Sequence, residues 1–68
     1  MIKYGKVIEY NGSSGYIISD DGNKYILLAQ NLVNDDIKEN DYVSFKEERY
    51  KTIEIDELIA TFVKKIKN

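Results

Sequence analysis

The chain has 68 residues, no cysteine, no histidine, 43% apolar residues and a formal net charge of −2. That describes one domain, expected to span residues 1–68, near the lower size limit for folding without a disulfide or metal staple. The missing residue types remove the usual zinc ligands and the usual general base. Binding is therefore expected in place of catalysis, with no metal or other cofactor.

Glycine and Asn/Asp clusters cut the chain at short, fairly even intervals, the pattern of an all-β barrel or sandwich. The opening Met1-Ile2-Lys3-Tyr4-Gly5 lacks the apolar run of a secretion signal. No apolar run approaches the roughly 18 residues of a membrane span, so the expected location is a reducing cytoplasm, with no membrane partner. The first strand is expected over residues 3–10, where adjacent Val7 and Ile8 cannot both face inward without a bulge. It ends at Asn11-Gly12-Ser13-Ser14-Gly15. A second strand over 16–19 and a third over 24–29 flank Asp20-Asp21-Gly22-Asn23, a hairpin signal because Asp-Gly tolerates positive φ. A loop or single helical turn follows, and Lys38-Glu39-Asn40-Asp41 turns into a fourth strand over 42–47.

The last segment, residues 58–66, reads two ways. Leu58, Ile59, Phe62, Val63 and Ile66 fit helical spacing nearly as well as alternation, and Asp56 is a suitable helix cap. β-branched content and the need for a closing strand favour a fifth strand. The expected fold is a small five-stranded antiparallel barrel, with a helix across 56–67 as the alternative.

Alternation assigns faces. Tyr16 and Ile18 oppose Ile17. Tyr25, Leu27 and Ala29 oppose Ile26 and Leu28, while Val43 and Phe45 oppose Tyr42, Ser44 and Lys46. The expected core is Val7, Ile17, Ile26, Leu28, Val43, Phe45 and Val63. Tyr16 and Tyr25, on paired outer faces beside Ile18 and Leu27, would then form an apolar platform on which bases of a single strand stack. The plainer reading is that tyrosines are common in strands and make cross-strand pairs.

Charge is uneven. Residues 1–18 carry +1, 19–42 carry −4, 43–57 carry −2, and Lys64, Lys65 and Lys67 give the tail +3. Asp20-Asp21 and Asp35-Asp36 read as turn chemistry and match no calcium loop. Ser13 and Ser14 have no histidine to activate them, and Gly12 and Gly15 follow no phosphate-loop spacing.

The order of residues resembles one family. Gly5-Lys6-Val7 followed by Tyr10-Asn11 resembles the opening strand of cold-shock domains, Gly-Lys-Val-Lys-Trp-Phe-Asn. Gly15-Tyr16-Ile17-Ile18 is similar to their first RNA-binding motif, Lys-Gly-Phe/Tyr-Gly-Phe-Ile. Asp21-Gly22 with Tyr25-Ile26-Leu27-Leu28 stands where the second, Asp-Val/Ile-Phe-Val-His, would be. Lys38-Glu39-Asn40-Asp41-Tyr42-Val43-Ser44-Phe45 resembles the turn and fourth strand, and Ala60 with Val63 the closing Ala-x-x-Val. The likeness covers nearly the whole chain. It implies an OB-type barrel that binds single-stranded DNA or RNA, with Lys6 as a cation and Tyr10, Tyr16, Ile18 and Leu27 as the contact surface; Tyr25, which alternation adds to that surface, stands where the family often has aspartate. Lys3 and the C-terminal lysines would assist at phosphates.

The departures are specific. The family's strand-one tryptophan is Glu9, and the lysine before the first motif's glycine is Ser14. Further aromatic or histidine positions hold Ile18, Leu27, Ala29 and Gln30. The expected function is weak, low-specificity single-strand binding by a monomer or weak dimer. The alternative is a barrel turned to protein recognition, with Glu9 disfavouring phosphate.

Overall fold

A computed structural model describes residues 1–66. Five strands form: β1 (Ile2–Tyr10), β2 (Ser14–Ser19), β3 (Lys24–Leu28), β4 (Tyr42–Lys51) and β5 (Asp56–Lys65), with a 3-10 turn at Ala29–Asn31. They close into a barrel in the order β1-β2-β3-β5-β4, the all-β, OB-type architecture. Four of the five pairings are antiparallel. The fifth joins β3 to β5 in parallel through Ile26 and Ile59. The chain after the 3-10 turn extends that seam, with Leu32 bridging Val63 and the Val33 N–H donating to the Val63 carbonyl at 2.8 Å.

The C-terminal ambiguity resolves as a strand. Between β3 and β4 that segment meets backbone partners on both sides, which a helix would leave unsatisfied.

Closing a barrel of so few strands needs sharp coiling, and two bulges supply it. In β1, Val7 pairs with Ile17 and Glu9 with Tyr16, so Ile8 is the extra residue; Val7 is buried and Ile8 exposed. In β5, Lys64 pairs with Ser44 and Thr61 with Lys46, leaving Phe62 and Val63 opposite Phe45. Val63 turns into the core, and Phe62 is pushed outward at φ 50°. Gly15 permits the approach of β2 to β1, since a Cβ there would lie 1.9 Å from the Glu9 carbonyl oxygen. Gly22 takes φ 89° in the hairpin turn after β2.

The core is Val7, Ile17, Tyr25, Leu27, Ile37, Val43, Phe45, Ala60 and Val63. Five of these match the expected set, but the third strand is reversed: Tyr25 and Leu27 are 0% exposed, while Ile26 and Leu28 lie half-buried on the outside. The reason is register. Tyr25 pairs with Ile17 and Leu27 with Gly15. Antiparallel partners share a face, so an inward Ile17 carries Tyr25 and Leu27 inward with it. The Tyr25 ring packs at 4.8 Å and 60° against Phe45, and its hydroxyl reaches the barrel mouth to donate to Glu47 at 2.6 Å.

β4 and β5 outrun the barrel. The last partner of β1 on β4 is Lys46, yet β4 and β5 stay paired out to Lys51 and Asp56. The resulting two-stranded arm is clamped by a bidentate Arg49–Asp56 pair at 2.9 and 2.7 Å.

Candidate nucleic-acid interface

Cross-strand register sets what the outside of the barrel presents. One row runs Tyr42–Lys6–Ile18–Lys24 over β4, β1, β2 and β3, and a second runs Glu9–Tyr16–Ile26–Ile59 over β1, β2, β3 and β5. Tyr16, Ile18 and Ile26 are half-buried, so each keeps a wet surface while resting on the sheet. The Lys24 ammonium lies 4.3 Å from the Tyr16 ring centroid, a cation–π contact. Lys6 and Lys24 enter no ion pair among the described residues, which leaves both charges for an anion. The opposing charge on this face is Glu9, next to Tyr16 across the strands.

Of the six residues expected to form the site, the fold brings together Lys6, Tyr16 and Ile18. Tyr25 and Leu27 are core, for the register reason given above. Tyr10 falls on the inward side after the β1 bulge and packs against the core cluster. The apolar neighbours that take their places beside Tyr16 are Ile26 and the stem of Lys24.

Lys3 is engaged elsewhere. At the barrel mouth its ammonium lies 3.1 Å from Asp21 and 3.8 Å from Glu47, the acceptor of the Tyr25 hydroxyl. Its bond to Asp21 raises the Lys3 pKa above its ordinary value. Asp21 is lowered to about 2, first by the donated Ser19 hydroxyl and then by Lys3. The Asn23 N–H adds a further bond at 3.3 Å. Burial, then the bond to Glu47, raises the Tyr25 phenol. This mouth is a satisfied structural network. No group of three or more carboxylates that could hold a metal ion occurs among the described residues.

A second aromatic feature lies on β1 and β4. Tyr4 and Tyr42 stack with ring centroids 6.4 Å apart and planes at 13°, and they are 46% and 41% exposed. The Tyr42 hydroxyl donates to Asp20, which raises the Tyr42 pKa and fixes the ring. Strand alternation places Tyr42 outward but does not join it to Tyr4, because the β1–β4 pairing is a contact between residues about 40 positions apart. Alternation of Tyr4 and Lys6 about Gly5, matched by Tyr42 and Ser44 about Val43, carries the signal once the two strands are paired.

No family model and no curated protein matches this chain.

Proposed function

We propose that this barrel binds single-stranded nucleic acid, DNA or RNA, weakly and with little sequence preference, as a divergent cold-shock-like protein of the cytoplasm. The observation that carries the reading is Tyr16 on the outer β1–β2–β3 face, flanked by two lysines that enter no ion pair among the described residues and floored by Ile18 and Ile26. A base stacks on Tyr16 and the adjoining aliphatic surface, contributing about 1–3 kcal/mol. Lys6 and Lys24 meet the flanking phosphates. One ring and two cations put the affinity of this face near the millimolar regime, about −4 kcal/mol. Low sequence preference follows because stacking reads no base edge and lysine reads only charge.

The test is a titration of unlabelled oligo-dT and oligo-U against intrinsic tyrosine fluorescence, which no tryptophan obscures in this chain. Saturable quenching that weakens with salt supports the reading. Flat traces at millimolar oligonucleotide overturn it.

One observation favours protein recognition as a second reading. The β4–β5 arm exposes Tyr50, Ile53 and Ile55, and its residues 47–57 hold five acids against Arg49 and Lys51, a charge of −3 that repels phosphate. On that reading, Ile53→Glu abolishes a protein contact and leaves oligonucleotide affinity unchanged.

A further inference from the structure

Cations and rings also gather on the face made by β1, β4 and β5. Along β4, Tyr42, Ser44 and Lys46 point outward about 7 Å apart, flanked by Tyr4 and Lys6 on β1 and by Lys64 and Phe62 on β5. Phe62 is the odd residue of this face. A bulge needing φ 50° is met best by glycine, yet the position holds a bulky ring that is 65% exposed. The Lys46 ammonium lies 5.2 Å from the Phe62 centroid. Phe62 also walls a cleft of about 430 Å³ lined in part by Gln30, Asn31 and Val33, whose amides and aliphatic surface suit the edge and face of a base. Lys6, Lys46 and Lys64 form no ion pair among the described residues. The opposing acids here are Asp20 and Glu48.

We infer that this face is a second single-strand contact surface, with Tyr4–Tyr42 and Phe62 as its stacking stations and Lys46 and Lys64 at its phosphates. It rests on the nucleic-acid reading above and extends it. Lys6 belongs to both faces, since it pairs with Ile18 on β2 and with Tyr42 on β4, so one strand passes from the first face to the second over that lysine. The two weak faces act on one ligand, and a strand long enough to reach both gains from the effective concentration of the second contact. The acids of the chain lie chiefly elsewhere: at the barrel mouth, in the loop before β4 and on the arm.

The experiment uses oligo-dT of about 15 nucleotides, near the upper site size of one such barrel, with affinity measured across salt and ¹H–¹⁵N shifts recorded on the full chain. Four lysines at about 0.7 each give a log–log salt slope of about −2.8, so a fourfold rise in salt weakens binding about 50-fold. Lys46→Gln with Lys64→Gln lowers the slope to about −1.4, and the same salt step then weakens binding about 7-fold. Lys51→Gln, on the arm, leaves the slope unchanged. Amides around Tyr4, Tyr42 and Phe62 shift together with those around Tyr16. A slope that the double variant does not alter, with shifts confined to the surroundings of Tyr16, Lys24 and Lys6, overturns this inference and leaves the first face standing. No shifts anywhere overturn both.

Discussion

Tyr25→Phe separates the barrel's structural tyrosine from Tyr16, the tyrosine proposed to bind. The substitution keeps the ring against Phe45 and deletes one atom, the hydroxyl that donates to Glu47. A hydrogen bond to a charged acceptor is worth about 1.5–3 kcal/mol. Glu47 is partly exposed and also near Lys3, so water and the lysine take up part of the loss, and about 1 kcal/mol is expected. In a domain of this size that lowers Tm by about 4–8 °C. Thermal unfolding followed by circular dichroism at pH 7 reads it directly, with oligonucleotide affinity measured in parallel and expected to stay unchanged. A melting curve that superimposes on wild type, or a loss of affinity with no change in stability, refutes the inward placement of Tyr25 and the register that produces it.

Three further outcomes follow from the same geometry. Asp21 titrates at about 2 in the barrel against an ordinary 3.8, so as pH falls the unfolded chain takes the proton first. The stability it confers is whole above pH 3.8 and is lost between 3.8 and about 2; acid titration of Asp21→Asn, monitored by circular dichroism, lacks that limb. Gly15→Ala drives a Cβ into the Glu9 carbonyl and leaves the chain largely unfolded, which a one-dimensional proton spectrum reveals as collapsed dispersion. Glu9→Trp removes the acid beside Tyr16 and adds a stacking surface, and it tightens oligo-dT binding by about 1–3 kcal/mol in the fluorescence titration.

Much of the barrel is legible in the chain because its punctuation is local. Asp21-Gly22, Asn40-Asp41 and the adjacent Val7-Ile8 mark two turns and a bulge from neighbouring residues alone, and each stands where that chemistry puts it. Strand four orients itself, since only one of its faces is apolar. Strand three does not. Lys24-Tyr25-Ile26-Leu27-Leu28 is apolar on both sides, so alternation gives two faces without saying which is inside, and the register with β2 decides. A tyrosine whose ring fills the core while its hydroxyl reaches a carboxylate at the rim is indistinguishable, in sequence, from one that stands in solvent. The Tyr4–Tyr42 stack and the outward Phe62 depend on pairings across the closed sheet, and no local pattern carries those.

On the proposed reading Tyr16, on the outside, meets a base and Tyr25, on the inside, does not. The most direct measurement is oligo-dT affinity of wild type, Tyr16→Ala and Tyr25→Phe, with each variant shown by circular dichroism to be folded. The expected result is a loss of about 1–3 kcal/mol, roughly 5- to 150-fold, for Tyr16→Ala and none for Tyr25→Phe. Equal affinities for wild type and Tyr16→Ala, or a wild type that fails to bind at millimolar oligonucleotide, contradict it.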